Sequence, residues 1–98
     1  MRGVNSLLSK FLKVIYSKKS KRFIEKNKKE GLKFFKAFDE ISQDLENIKY
    51  YDIKNLKTKE NIFRLRIGKF RALFSKRDDQ LIILVINIGS RGEIYKDL

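Results

Sequence analysis

Phe63-Arg64-Leu65-Arg66-Ile67-Gly68-Lys69-Phe70-Arg71-Ala72-Leu73-Phe74 is the stretch that decides how this chain folds. Its first five residues alternate apolar and basic. Period two puts Phe63, Leu65 and Ile67 on one face of a strand, and Arg64 and Arg66 on the other. The arginine face points away from the core, because an unpaired buried charge costs several kcal/mol. Gly68-Lys69 follows, and Gly in the first position suits a two-residue II′ turn. Phe70 to Lys76 is therefore expected to return antiparallel, with Arg71 projecting near the Arg64/Arg66 pair.

Downstream, Arg77-Asp78-Asp79-Gln80 reads as a second turn. Leu81 to Ile86 is apolar on both faces and reads as the central strand, covered by helices on one side. Gly89-Ser90-Arg91-Gly92 ends it, and Glu93-Ile94-Tyr95 follows. Upstream, the apolar, partly β-branched run Phe11 to Tyr16 predicts a short strand. Ser17 offers an N-cap to a basic helix reaching about Asn27, with Phe23 and Ile24 inward. Gly31 is expected to interrupt or end that element. A second helix is expected from about Leu32 to Asn47. Phe34, Phe38, Ile41, Leu45 and Ile48 recur at steps of four, three, four and three, a single apolar stripe. Asn47 to Glu60 reads as a polar connection pinned by Tyr50, Tyr51, Ile53 and Leu56. The expected architecture is α+β, with two N-terminal helices on one face of a small antiparallel sheet of three to four strands.

The 98 residues contain no Pro, no repeat and no Gly/Ser linker, so one domain over 1–98 is expected, with 1–12 as an N-terminal extension. The opening resembles a weak signal peptide, but Ser9, Lys10 and Lys13 cut its apolar run and no small-residue cleavage site follows. No segment reaches the roughly 18–20 apolar residues of a membrane helix. A cytoplasmic protein without membrane contact is expected. Cys and His are both absent. That excludes disulfides, His/Cys zinc sites and Ser-His or Cys-His nucleophiles. Asp39, Glu40 and Asp44 are expected to pair with lysines on an exposed helix rather than hold a metal, and no cofactor is implied. Tyr50 and Tyr51 read as packing residues.

Twenty-four Lys and Arg against twelve Asp and Glu leave a net charge of +12. Seventeen of the cations are Lys, a bias that an AT-rich genome also produces, so the distribution says more than the total. Residues 1–36 carry twelve cations and two anions, and residues 37–63 carry four and six. Residues 64–98 carry eight and four, including five of the seven arginines. Arginine is the better bidentate phosphate ligand, so a polyanionic partner is expected. Arg64, Arg66, Arg71, Arg91 and Tyr95 would together make a place for a phosphodiester and a base. Lys69, Arg77 and the helical Lys18, Lys19 and Arg22 are further candidate RNA contacts; for the helix, a solvated basic face is the plainer reading.

The stretch 63–74 resembles the signature of the RelE/ParE toxin superfamily: a basic strand, a Gly turn, an aromatic-Arg pair and an apolar return strand. The tail Ile86-Asn87-Ile88-Gly89-Ser90-Arg91-Gly92-Glu93-Ile94-Tyr95 is similar to the RelE branch, where an Arg and a Tyr follow the last long strand. The resemblance implies the toxin half of a toxin–antitoxin pair, with a cognate antitoxin as partner. It implies metal-independent cleavage of mRNA in the ribosomal A site, by attack of a 2′-hydroxyl on the adjacent phosphate. On this resemblance Arg64 and Arg66 hold the backbone and stabilise charge, Arg71 and Arg91 meet the phosphate, and Tyr95 stacks on a base or handles a proton. RelE has lysines on this strand, and a guanidinium does not give up its proton as Lys can; with Arg at 64 and 66, acid–base work falls to Tyr95, Lys69 or the ribosome. Two alternatives stand beside this: a ParE-like inhibitor of DNA gyrase, and an inactive basic nucleic-acid-binding module.

Overall fold

The computed structural model describes residues 12–56, 61–92 and 94–95. β1 (Lys13–Tyr16) leads into α1 (Lys18–Lys26) and α2 (Lys28–Gln43). A 3-10 turn (Leu45–Tyr50) then passes to β2 (Asp52–Asn55), β3 (Ile62–Ile67), β4 (Phe70–Arg77) and β5 (Ile82–Ser90). The sheet has five strands in the order β1-β5-β4-β3-β2. Strands β2 to β5 are antiparallel neighbours, whereas β1 lies parallel to β5. Both helices pack on one face, as expected. Residues 1–11 of the N-terminal extension, Phe11 of the expected first strand among them, lie outside the described residues.

The departures from the sequence reading have local causes. The sheet is mixed and five-stranded because β1 joins β5 in parallel and because β2 forms inside the supposed connection. In β2 only Ile53 faces the core, so its apolar signal is one residue long. β4 takes the middle of the sheet; β5 is interior, between β1 and β4. Gly31 ends nothing: α1 stops at Lys26, and Gly31 lies buried within α2. A Cβ there would come within 2.7 Å of the Ile24 Cα, so the glycine lets the two helices approach closely. α2 starts a turn earlier than expected and ends at Gln43. Leu45 and Ile48 continue its stripe from the 3-10 turn, which Asp44 caps by accepting from the Glu46 amide at 3.0 Å.

α1 is fixed to the sheet at its first turn. Ser17 accepts from the Ser20 amide at 3.1 Å, a side-chain N-cap, and donates to the Ile86 carbonyl at 2.6 Å. Buried Ser20 donates to the Val85 carbonyl at 3.1 Å. Val85 and Ile86 sit at a β-bulge, where Phe74 pairs with Val85 and Leu73 with Asn87. The helix N-terminus thus occupies carbonyls that this irregular stretch of the strand presents. Below it the core is aromatic. Phe38 meets Phe74 edge-on at 5.2 Å, Phe63 stacks on Phe74 at 5.4 Å, and Phe23 meets Phe70 edge-on at 5.1 Å. Phe34, Ala37, Phe38 and Ile41 of α2 close over Leu65, Ala72, Phe74, Ile83 and Val85.

Candidate nucleic-acid interface

Every side chain that alternates with those core residues points to the face without helices. Gly68 has φ +60°, and among the described non-glycine residues only Asn61 and Leu81 share a positive φ, so Gly68-Lys69 has the II′ form expected. The tight turn locks the register of the hairpin. Arg66 lies directly opposite Arg71, and Arg64 opposite Leu73. With β2 and β5 included, one row across the sheet reads Asp52, Arg66, Arg71, Gly89. The next reads Lys54, Arg64, Leu73, Asn87. Arg66 and Arg71 are thus about 5 Å apart at the backbone, like charges directly opposed, an arrangement that destabilises a bare sheet.

Arg64 is more enclosed than Arg66. Its side chain is 16% exposed, its Nη2 donates to Asp52 Oδ1 at 2.8 Å, and its Nε is buried with no hydrogen-bond partner. Arg66 is half exposed, with Nη1 3.9 Å from Asp52 Oδ2. A buried guanidinium donor left without a partner, beside two opposed guanidiniums, has the chemistry of an anion site. Asp52 itself was not anticipated. The signal was the alternation Asp52-Ile53-Lys54, too short to read as a strand without its partner β3.

The other candidate residues are more scattered. Lys69 is exposed at the hairpin tip, its Nζ 5.9 Å from the centre of the Phe70 ring. Arg91 is exposed in the turn after Ser90, and Ser90 pairs with Phe70, so Arg91 emerges at the same end of the sheet as Lys69. Tyr95 stands in the last described turn, 37% exposed, beside fully buried Ile94. Arg77 is at the far end of β4, six residues from Arg71 and so roughly 20 Å away along the strand, with its Nε 3.4 Å from Ser75 Oγ. Lys18, Lys19 and Arg22 are exposed on α1, in the helical layer on the other side of the sheet. They form a second basic surface and do not extend the arginine face.

The acidic stretch also differs from expectation. Asp39 Oδ2 accepts from Gln43 Nε2 at 3.1 Å, and Glu40 accepts a short hydrogen bond from the Tyr51 hydroxyl. Burial and the Glu40 carboxylate push the Tyr51 phenol up to about 12. Tyr51 packs against the core, whereas Tyr50 is 72% exposed with Lys49 Nζ 5.5 Å from its ring centre. A cavity of about 260 Å³ lies between β1 and α2, lined by Leu12, Val14, Tyr16, Phe35, Asp39 and Ser42, on the helix side and away from the arginines. Among the described residues, no helix is long and apolar enough to cross a membrane.

Residues 10–95 match the family described as the ParE toxin of type II toxin–antitoxin systems, parDE. The chain belongs to this family. It therefore falls in the RelE/ParE superfamily that the hairpin and tail resemble. A protein of Methanocaldococcus jannaschii named as toxin RelE1 is 40% identical over 47 residues, 48% of this chain and 52% of that protein. The match thus spans about half the length of that relative. The fold is shared with a chain of the archaeal RelE–RelB complex from Pyrococcus horikoshii, with TM-score 0.69, 18% identity, and coverage of 84% of this chain and 97% of that one. The RelBE2 toxin–antitoxin complex of Mycobacterium tuberculosis gives TM-score 0.62 at 19% identity, covering 82% and 98%. At such identities the likeness establishes the fold of this family member.

Proposed function

We propose that this chain is a ribosome-dependent mRNA endoribonuclease, the toxin of a type II pair. The observation that supports this best is the placement of Arg64, Arg66 and Arg71 side by side on the helix-free face. In-line attack of the 2′-oxygen on the adjacent phosphorus forms a 2′,3′-cyclic phosphate and expels the 5′-oxygen of the next nucleotide. One proton leaves the attacking hydroxyl and one reaches the leaving oxygen. Charge gathers on the nonbridging oxygens, where preset guanidiniums stabilise it without reorganising. In this reading Arg71 and Arg66 hold the scissile phosphate, Arg64 holds its neighbour, and Arg91 approaches from the β5 end. Guanidinium does not release a proton at neutral pH. The proton transfers accordingly fall to Tyr95, Lys69 or a ribosomal group.

The exposed lysines of α1, with Lys18, Lys19 and Arg22, would bind ribosomal RNA through its phosphates, giving the complex a steep salt dependence. A cognate antitoxin completes the system, as in the complexes whose toxins share this fold. It would neutralise the arginine face or cover it. Expression of the chain alone should arrest growth, with Arg71→Ala or Arg91→Ala tolerated. Vigorous growth with the unaltered chain would sink the toxin reading. A second reading, inhibition of DNA gyrase, is favoured by the family match, which is to the ParE toxin. A supercoiling assay separates them: gyrase stays active under the first reading and stops under the second.

A further inference from the structure

Asp52 has no part in the proposed cleavage, yet its carboxylate joins Arg64 and Arg66 at the β2 edge of the arginine face. One carboxylate oxygen is 2.8 Å from Arg64 and the other is 3.9 Å from Arg66. A carboxylate that offers one oxygen to each of two guanidiniums presents what a phosphate would present to them. It comes from β2, an edge strand of four residues, and is 54% exposed. Arg64 keeps a buried Nε donor that this carboxylate leaves unused. Arg64 and Arg66 are two residues apart on one strand face, a step of roughly 7 Å, comparable to the separation of neighbouring phosphates in a nucleic-acid strand. The Arg66/Arg71 row thus offers one phosphate place, and Arg64 the adjoining one.

We propose that Asp52 is an internal stand-in for the second of two consecutive phosphates, occupying Arg64 until a bound strand displaces it. The proposal rests on the outer face being the RNA-binding face. Asp52 keeps Arg64 and Arg66 aimed outward in the unliganded protein, easing a face where Arg66 and Arg71 oppose each other. The same carboxylate then competes with the incoming strand. With Asp52 half exposed, such a pair is worth about 0.2–1 kcal/mol, so its removal should tighten binding by up to about fivefold.

The test uses fluorescence anisotropy with a five-nucleotide 2′-O-methyl RNA, which binds without being cut. Asp52→Asn should tighten binding about two- to fivefold, and the gain should vanish when Arg64→Ala is added. Glu25→Gln makes the same change in net charge on α1 and should alter affinity less than about twofold. Asp52→Ser serves in place of Asp52→Asn if a thermal melt shows the latter misfolded. Unchanged or weaker binding by the Asp52 variants, with Arg71→Ala still weakening it, overturns the proposal alone and leaves Asp52 a pin for edge strand β2. An equal gain in the Arg64→Ala background, or with Glu25→Gln, also overturns it. Binding indifferent to Arg71→Ala overturns the RNA-binding reading of the face itself, and the proposal with it.

Discussion

The two faces of β3 and β4 are built from alternate residues of the same dozen positions, and they do opposite things. Toward the helices, Leu65, Ala72 and Phe74 are excluded from water beneath Phe34 and Phe38. Toward solvent, Arg64, Arg66 and Arg71 crowd positive charge that contributes nothing to that core and opposes itself across the strands. A one-residue slip of register would exchange the two sets, so the Gly68 turn that sets the register protects both fold and site. The comparison teaches that the helix side carries the aromatic core and the other face carries the arginines, with Leu73 fully buried beside Arg64. Substitutions should therefore divide by face.

The sharpest break is on the helix side. Phe38→Ala should remove about 3–5 kcal/mol of stability by urea denaturation, because Phe38 is fully buried and its ring meets Phe74 and Tyr16 edge-on. On the solvent side Arg71→Ala should lower cleavage by roughly a hundredfold while shifting unfolding by less than about 0.5 kcal/mol. That small shift should be stabilising, since removing one of two opposed like charges relieves the pair. A large loss of stability in Arg71→Ala would erase the division between faces.

The remaining substitutions sharpen the helix side. Gly31→Ala favours a helix by about 1 kcal/mol in isolation. Its Cβ would meet backbone, the Ile24 Cα, so overpacking of about 1–3 kcal/mol should win and lower the melting temperature. Ser17→Ala should cost about 1 kcal/mol, read by urea denaturation, through loss of the α1 cap and of its bond to Ile86. The smallest effect is a pH dependence. Tyr51 is held protonated above its ordinary 10.0, up to about 12. Between those values the unfolded chain has lost a proton that the folded protein keeps, so stability falls as pH rises from 10 to 12. Tyr51→Phe should flatten that slope in a pH series of melts.

Much of this was readable in the sequence because the residues from Phe63 to Phe74 satisfy turn chemistry and period two together. The arginine row follows from the same alternation plus the turn, and needs no long-range information. Where the reading stopped, the deciding interaction was between distant segments. β2 has a single inward residue, Ile53, and becomes a strand only by pairing with β3. With β2 unseen, the ion pair of Asp52 with Arg64 was invisible too. β1 could be located from its own residues, but its parallel place beside β5 could not. Gly31 misled because a propensity that breaks helices in isolation yields to the close packing of α1 on α2. The apolar stripe ran past the end of α2 because Leu45 and Ile48 serve the same core from a 3-10 turn.

The central claim is that the arginine face acts on RNA. Primer extension on mRNA in a purified translation system, with and without this protein, tests it most directly. The account predicts codon-positioned cuts that require ribosomes, survive EDTA-treated product analysis and disappear with Arg71→Ala, whose melting temperature does not fall. Intact mRNA at high protein excess, with ribosomes translating normally, would contradict it.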